Sequence, residues 1–410
     1  PPAPLTVPAI AAFAVDMDGT STTTEPLALH ALEYMVRRIT GRMERAAWPG
    51  LDAPRDIPFV IGTSNFRHTE FLLQRYHDAL NSAAFSTSVI EAWVWTLVTM
   101  NDRQRLAEVR RNAVNCGVAA LLDDEELRTA CAAPPAPGAC AVLMARLAQR
   151  HAGAFRPPHA GTEVAAALDV YYHRYHELLH EIEQGRGAAL ADELLGGGGK
   201  HLIAPMPGYG VFLCLIKGWL SDEAAAALAP LLRAVHPHDT AARDGDQAVL
   251  QRLARQFRGQ PAKLALVTAS IAYEAHVSMQ EVMRVVREEI AAWPVAPAVR
   301  DALRENLRDY RAVFDGFATA SDAWEARLKP HRDLYSLSLY QMSIPAACYQ
   351  HCMAIEDTEP GIVSARAAGF GISIALPNHD TTRQNYTKAS RVLHGGLPEL
   401  LLDHTLFLNL

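Results

Sequence analysis

Apolar positions along this chain fall into two rhythms. At 10–15, 264–270, 314–319, 352–355 and 372–376 they form short runs closed by polar or turn-forming residues, the pattern of buried strands. Over 28–42, 70–80, 89–100, 102–122, 163–184, 222–235 and 247–257 they recur at helical spacing instead. Breaks fall at the Pro-rich stretch 133–137, at Arg156-Pro157-Pro158 and at the glycines of 196–199.

The order of these elements predicts the architecture. Toward the C-terminus strands alternate with helices, which implies an α/β protein with a parallel, doubly wound sheet. The first strand belongs with that half. The helical text between them then reads as a large insertion after the first strand, placed over the site. The expected division is a discontinuous core of 1–25 and 258–410 with a helical cap domain of 26–257.

Composition narrows the class. The chain has 410 residues, half of them hydrophobic and a fifth charged, enough for a packed core. A formal net charge of −7 without a long basic run argues against nucleic acid as a partner. The six cysteines are scattered and lack paired C-x-x-C spacing, so reduced thiols in a cytoplasmic protein are expected. Cys348, His351 and Cys352 cluster, with buried helix packing as the expectation. No run approaches the ~20 apolar residues of a membrane span, and the first ten residues carry no basic region of a secretory signal.

The candidate chemistry begins at Ala-Val15-Asp16-Met-Asp18-Gly19-Thr20. Side chains two apart on a strand point to one side, and Gly19 lets the backbone turn closely around a ligand. At the carboxyl end of a parallel strand this is where ligands bind in open α/β sheets. One carboxylate can attack phosphorus while the other moves protons, and the pair can gather a hard cation. An acidic surface turn is the plainer reading of the same residues.

Three further pieces follow at strand ends or just before helices: Leu264-Ala-Leu-Val-Thr268-Ala-Ser270, Lys329-Pro330 with Asp333 and Tyr335, and Ala354-Ile-Glu356-Asp357-Thr-Glu-Pro-Gly361. Each alone has an ordinary explanation. Thr268 and Ser270 can cap a helix, Lys329-Pro330 can be a solvated loop, and Glu356-Asp357 an acidic turn. Together and in order they resemble the haloacid dehalogenase (HAD) superfamily, in its β-phosphoglucomutase-like branch of capped phosphatases and phosphomutases. The resemblance covers 8–25 and about 258–410 and covers the insertion poorly. Asp18 is the acid that dehalogenases lack.

The resemblance implies roles. Asp16 would form an aspartyl-phosphate, Asp18 would act as general acid and then base, Thr268 would bind a phosphoryl oxygen and Lys329 would neutralise charge. Asp16, the Asp18 carbonyl, Glu356 and Asp357 would hold Mg²⁺. Cations are required there, because each like-charge pair at about 4 Å costs on the order of 4 kcal/mol at an effective dielectric near 20. The implied activity is a Mg²⁺-dependent phosphatase acting on a small-molecule phosphomonoester, with a phosphomutase as the alternative.

The stretch Gly62-Thr63-Ser64-Asn65-Phe66-Arg67-His68 resembles the substrate-selecting loop at the start of such caps, with Asn65, Arg67 or His68 reaching distal groups. Helix capping by Thr63 or Ser64 is an equally compatible reading. Ser270 is a further substrate-binding candidate. A competing motif is His176-Glu177-Leu-Leu-His180, an H-E-x-x-H that in zinc peptidases supplies two ligands and a base, with His173 nearby. It has no third ligand at a recognised spacing. The glycines before Lys200 lack the frame of a phosphate loop and read as a hinge or loop.

Overall fold

The structure is a computed structural model that describes residues 10–60, 65–241, 243–322, 327–378 and 381–403. The chain divides into two compact units, Pro1–Thr24 with Ile203–Leu410, and Glu25–Leu202.

The first unit is built on a six-stranded parallel sheet. Its strands are β1 (Ala12–Asp16), β4 (Lys263–Val267), β5 (Gly316–Ala318), β6 (Cys352–Glu356), β7 (Ile372–Ala375) and β8 (Arg391–Val392), in spatial order β5-β4-β1-β6-β7-β8. The short β2 (Thr22–Thr23) and β3 (Ala204–Pro205) form a separate antiparallel pair. All five residues of β1 are buried, as are all of β6, because helices cover both faces of a parallel sheet. Ala12, Ala14, Ala265 and Ala354 pack beneath Leu334, Tyr335 and Leu339 of the helix Asp333–Gln341. On the other face Phe13 meets Phe212 edge-on at 5.6 Å and lies 6.1 Å from Phe257. The α/β class and the strands read from the apolar runs are therefore present.

Register places the chemistry. Asp16 lies opposite Val267, so Thr268 follows one step beyond it, and Val15 lies opposite Ile355, so Glu356 stands level with Asp16. The chain lays β4 and β5 on one side of β1 and β6 onward on the other, which puts the reversal of strand order at β1.

The domain boundary moves relative to expectation. Residues 203–257 belong with the sheet unit, not with the helical insertion. The helices Tyr209–Ile216 and Asp246–Gly259 supply Phe212 and Phe257 to the sheet face, and Ala262 N donates to Ile216 O at 3.0 Å. Helical spacing identifies a buried stripe but not the surface that buries it.

The second unit is helical. Its centre is the helix Ser82–Thr99, apolar on nearly all sides, against which Glu25–Thr40, Arg103–Asn115, Pro137–His151 and Ala160–Glu181 pack. The central helix starts earlier than its apolar spacing suggests because Asn81 caps it, accepting from Ala84 N at 3.0 Å. The expected 102–122 helix is two, Arg103–Asn115 and Ala119–Leu122, parted where Gly117 takes φ +81°. No helix among the described residues is long and apolar enough to cross a membrane.

Candidate active site

Four segments converge at the carboxyl ends of β1, β4 and β6. Lys329 reaches from the loop after β5 and its ammonium hydrogen-bonds Asp16 Oδ1, with Glu356 Oε1 at 2.6 Å and the Val267 carbonyl at 3.3 Å. The Lys329–Pro330 peptide is cis. The Tyr335 hydroxyl donates to the same Glu356 oxygen at 2.8 Å, and Thr358 Oγ1 donates to Glu356 Oε2 at 3.0 Å. Asp357 receives Thr20 Oγ1 at 3.4 Å and Asn378 Nδ2 at 3.1 Å. Both carboxylates of the acidic pair thus face the first strand.

Asp18 has hydrogen-bond partners of its own. Thr24 Oγ1 donates to one of its oxygens at 2.9 Å and Ser270 Oγ to the other at 3.3 Å. Turn bonds fix its position: Gly19 N donates to Thr22 O at 2.8 Å, and Ser21 Oγ to the Asp16 carbonyl at 2.6 Å. Gly19 adopts φ +84°, and a side chain there would collide with Asp357. Gly361 is bare for a different reason, since a Cβ on it would overlap the Glu356 carboxyl group.

Charge does not balance within the group. Asp16, Glu356 and Asp357 are buried, with ligand oxygens within 4.8 Å of one another, and among the described residues one ammonium serves them. Burial, then the Glu356 charge, push Asp16 well above the usual carboxylate range despite Lys329. The same two causes push Asp357 up to about 8. Burial also raises Asp18, against the hydrogen bond from Thr24. Burial works against the Lys329 charge, but Asp16 and Glu356 outweigh it and raise its affinity for the proton. An all-oxygen, buried donor set with surplus negative charge fits a hard divalent cation. Glu356, with Oε1 taken by Lys329 and Tyr335, is also the anchor of the ammonium.

The remaining sequence candidates divide. Thr268 is buried at the end of β4, and its hydroxyl accepts from Ser270 N at 3.0 Å, a turn bond and not the helix cap of the plainer reading, since Ile271 is the N-cap of the next helix; the Thr268 proton is left to donate. Ser270 spends its hydroxyl on Asp18 rather than standing open to a substrate. Gly62, Thr63 and Ser64 lie outside the described residues. In the helical unit Asn65 Nδ2 donates to the Tyr172 hydroxyl at 3.3 Å, and Arg67 pairs with Glu70 at 2.7 Å on an exposed face. His68 is buried, and burial lowers it to about 4.

The H-E-x-x-H segment does not assemble a metal site. His176 is buried and stacked on Tyr172, His173 lies against Trp95 and Tyr34, and His180 faces solvent with Gln184 2.8 Å away. Among the described residues the only group of three potential ligands is Asp16, Glu356 and Asp357. The cysteine cluster is likewise structural: Cys352 opens β6, and its thiol lies 3.4 Å from the Cys348 carbonyl. Sequence reasoning missed Thr20, Thr24, Thr358, Asn378 and Tyr386 as site partners. Their only signal was proximity to a strand end.

No protein-family model and no curated protein sequence matches the chain. Among solved structures it is similar to CbbY from Rhodobacter sphaeroides in complex with phosphate, at 16% identity, covering 96% of this chain and 99% of that one with a TM-score of 0.38. It is also similar to β-phosphoglucomutase from Clostridium difficile, at 13% identity over 94% and 92% of the two chains with a TM-score of 0.33. A HAD-superfamily hydrolase of subfamily IA from Geobacter sulfurreducens shares 14% identity over 95% and 94%, with a TM-score of 0.33.

Proposed function

We propose that the chain is a HAD-type, Mg²⁺-dependent phosphatase acting on a small phosphomonoester through an aspartyl-phosphate on Asp16. The observation that carries this reading is Lys329 bridging Asp16 and Glu356 beside Asp357, three segments remote in sequence meeting at one sheet rim.

In this reading an Asp16 oxygen attacks phosphorus, an O–P bond forms, and the ester P–O bond breaks. Asp18 gives its proton to the departing alkoxide oxygen. The resulting Asp18 carboxylate then takes a proton from water, whose oxygen attacks the same phosphorus. Inorganic phosphate leaves and both carboxyl groups return to their starting states. Lys329 offsets charge on Asp16 and the phosphoryl oxygens throughout, anchored by Glu356, while Thr268 donates to one phosphoryl oxygen. Asp16 and Asp357, with Glu356 adjacent, would hold Mg²⁺, which would supply charge neutralisation for the phosphoryl group. That Asp18 is hydrogen-bonded by Thr24 and Ser270 and not by Lys329 supports a proton-handling role distinct from attack.

The test is phosphate release from a panel of phosphomonoesters with and without EDTA. Release that EDTA abolishes and added Mg²⁺ restores is expected, and Asp16→Asn should lower kcat by several orders of magnitude with the fold intact. Retained turnover in that variant defeats the nucleophile assignment. Isomerised sugar phosphate without release would move the reading to a phosphomutase.

A further inference from the structure

The loop that follows β7 closes on the metal-facing carboxylate from a direction no motif covers. Asn378 Nδ2 donates to Asp357 Oδ2 at 3.1 Å and lies 3.4 Å from the Gly19 carbonyl. The far end of the amide decides which atom faces Asp357. Thr381 N and Thr381 Oγ1 reach Asn378 Oδ1 at 3.2 and 3.3 Å, and a backbone N–H can only donate, so the oxygen must face Thr381 and the NH₂ must face the carboxylate. Asn378 N returns a bond to Thr381 Oγ1 at 3.1 Å. The Tyr386 hydroxyl lies against the main-chain carbonyl of Asp357 and 2.9 Å from that of Thr381, so the loop grips the backbone of Asp357 as well as its side chain.

Resting on the phosphoryl-transfer reading, we propose that Asn378 is a positioning residue for the cation site: oriented by Thr381, it fixes the rotamer of Asp357, and the loop thereby sets the Mg²⁺ affinity of the protein. The physical reason is that a carboxylate among like charges turns away from them unless a donor holds it. Pre-orienting the ligand removes that reorganisation from the binding step. The competing account makes Asn378 only the pivot of a turn, where its carbonyl accepts from Thr381 N and Thr382 N at 3.2 and 3.1 Å.

The experiment is titration calorimetry of Mg²⁺ into the full-length, EDTA-stripped protein, with thermal unfolding in EDTA run alongside. Asn378→Leu keeps the volume and removes the donor, and its Mg²⁺ Kd should rise about 10–100-fold, with KM for the ester unchanged at saturating Mg²⁺. Tyr386→Phe removes one hydroxyl only, so it keeps the test decisive if the first variant fails to fold, and its Kd should rise in the same direction by less. An unchanged Kd in folded Asn378→Leu, with a lower unfolding midpoint, overturns the proposal in favour of the turn, as does an unchanged Kd in Tyr386→Phe where only that variant folds. Asp357→Asn separates the two layers. If it binds Mg²⁺ as tightly as the unmodified protein, the site reading itself falls and takes the proposal with it, whereas weak binding in Asp357→Asn alone leaves the failure with Asn378.

Discussion

One buried charge cluster from each unit makes a contrast. In the helical unit one buried carboxylate, Asp169, meets Arg105 at 2.5 Å, Trp93 Nε1 at 2.6 Å and Asn112 Nδ2 at 2.9 Å. The guanidinium lies 4.5 Å over the Tyr172 ring, and Asp169, Tyr172 and Glu108 together overcome burial to raise Arg105. The fully buried acid and base match one to one there, with Glu108 pairing Arg105 at 3.2 Å from a partly exposed position, and every partner comes from the packed helices. In the sheet unit Asp16, Glu356 and Asp357 share Lys329, and the surplus pushes Asp16 and Asp357 up. The matched pair leaves no buried charge over, while the unmatched group keeps a surplus that the proposed cation would offset.

Removing one carboxylate from each cluster sharpens this contrast, because the effects should differ in kind and sign. Asp357→Asn should cut phosphatase activity by more than about 100-fold, since it removes a direct ligand where loss of an outer partner already costs 10–100-fold. In EDTA the same variant should be more stable to urea than the parent, on the order of 1–3 kcal/mol, because it relieves like-charge repulsion. Asp169→Asn should instead destabilise by about 3–5 kcal/mol, read from the urea midpoint, because it removes the only fully buried carboxylate facing Arg105 and leaves the partly exposed Glu108 as its acid. If both variants shift stability the same way, the contrast is broken.

A smaller effect tests the balanced side alone. Asp124 caps the helix Glu125–Ala132 and pairs with Arg150 at 2.6 Å and His151 at 2.9 Å. Burial works to raise it, but the hydrogen bonds from His151, Arg150 and Glu126 N hold it down at about 2. A carboxylate depressed on folding contributes stability above its unfolded value near 4 and loses it as pH falls through about 2. Asp124→Ala should therefore cost about 0.5–2 kcal/mol at neutral pH, and the gap to the parent should close between pH ~4 and ~2. A gap independent of acid would assign the loss to packing.

Much of the sheet was readable because a parallel strand buried on both faces must be apolar throughout, as 264–267 and 352–355 are, and because residues at strand ends collect at one rim. That reading, joined to a motif resemblance, singled out Asp16, Thr268, Lys329, Glu356 and Asp357, of which the structure brings Asp16, Lys329, Glu356 and Asp357 together. It failed at 203–257, whose helical spacing matches either unit equally well. It also failed for Ser270, whose hydroxyl goes to Asp18, and for Asn378 and Tyr386, which lie in a polar loop without pattern. Which carboxylate an amide or hydroxyl meets depends on the register of β1, β6 and β7, and register is set by the whole sheet.

The central position of β1 has a consequence for how the protein comes into being. Translation makes Asp16 and Asp18 long before Lys329, and β1 stays open along one edge until β6 emerges to pair with it. A nascent chain that has reached only β5 holds Asp16 without the acidic pair opposite, and an apolar strand edge that invites aggregation. The cluster of Asp16, Lys329, Glu356 and Asp357 is thus assembled only after β6 is made, and until then the β1 edge needs shielding from other chains.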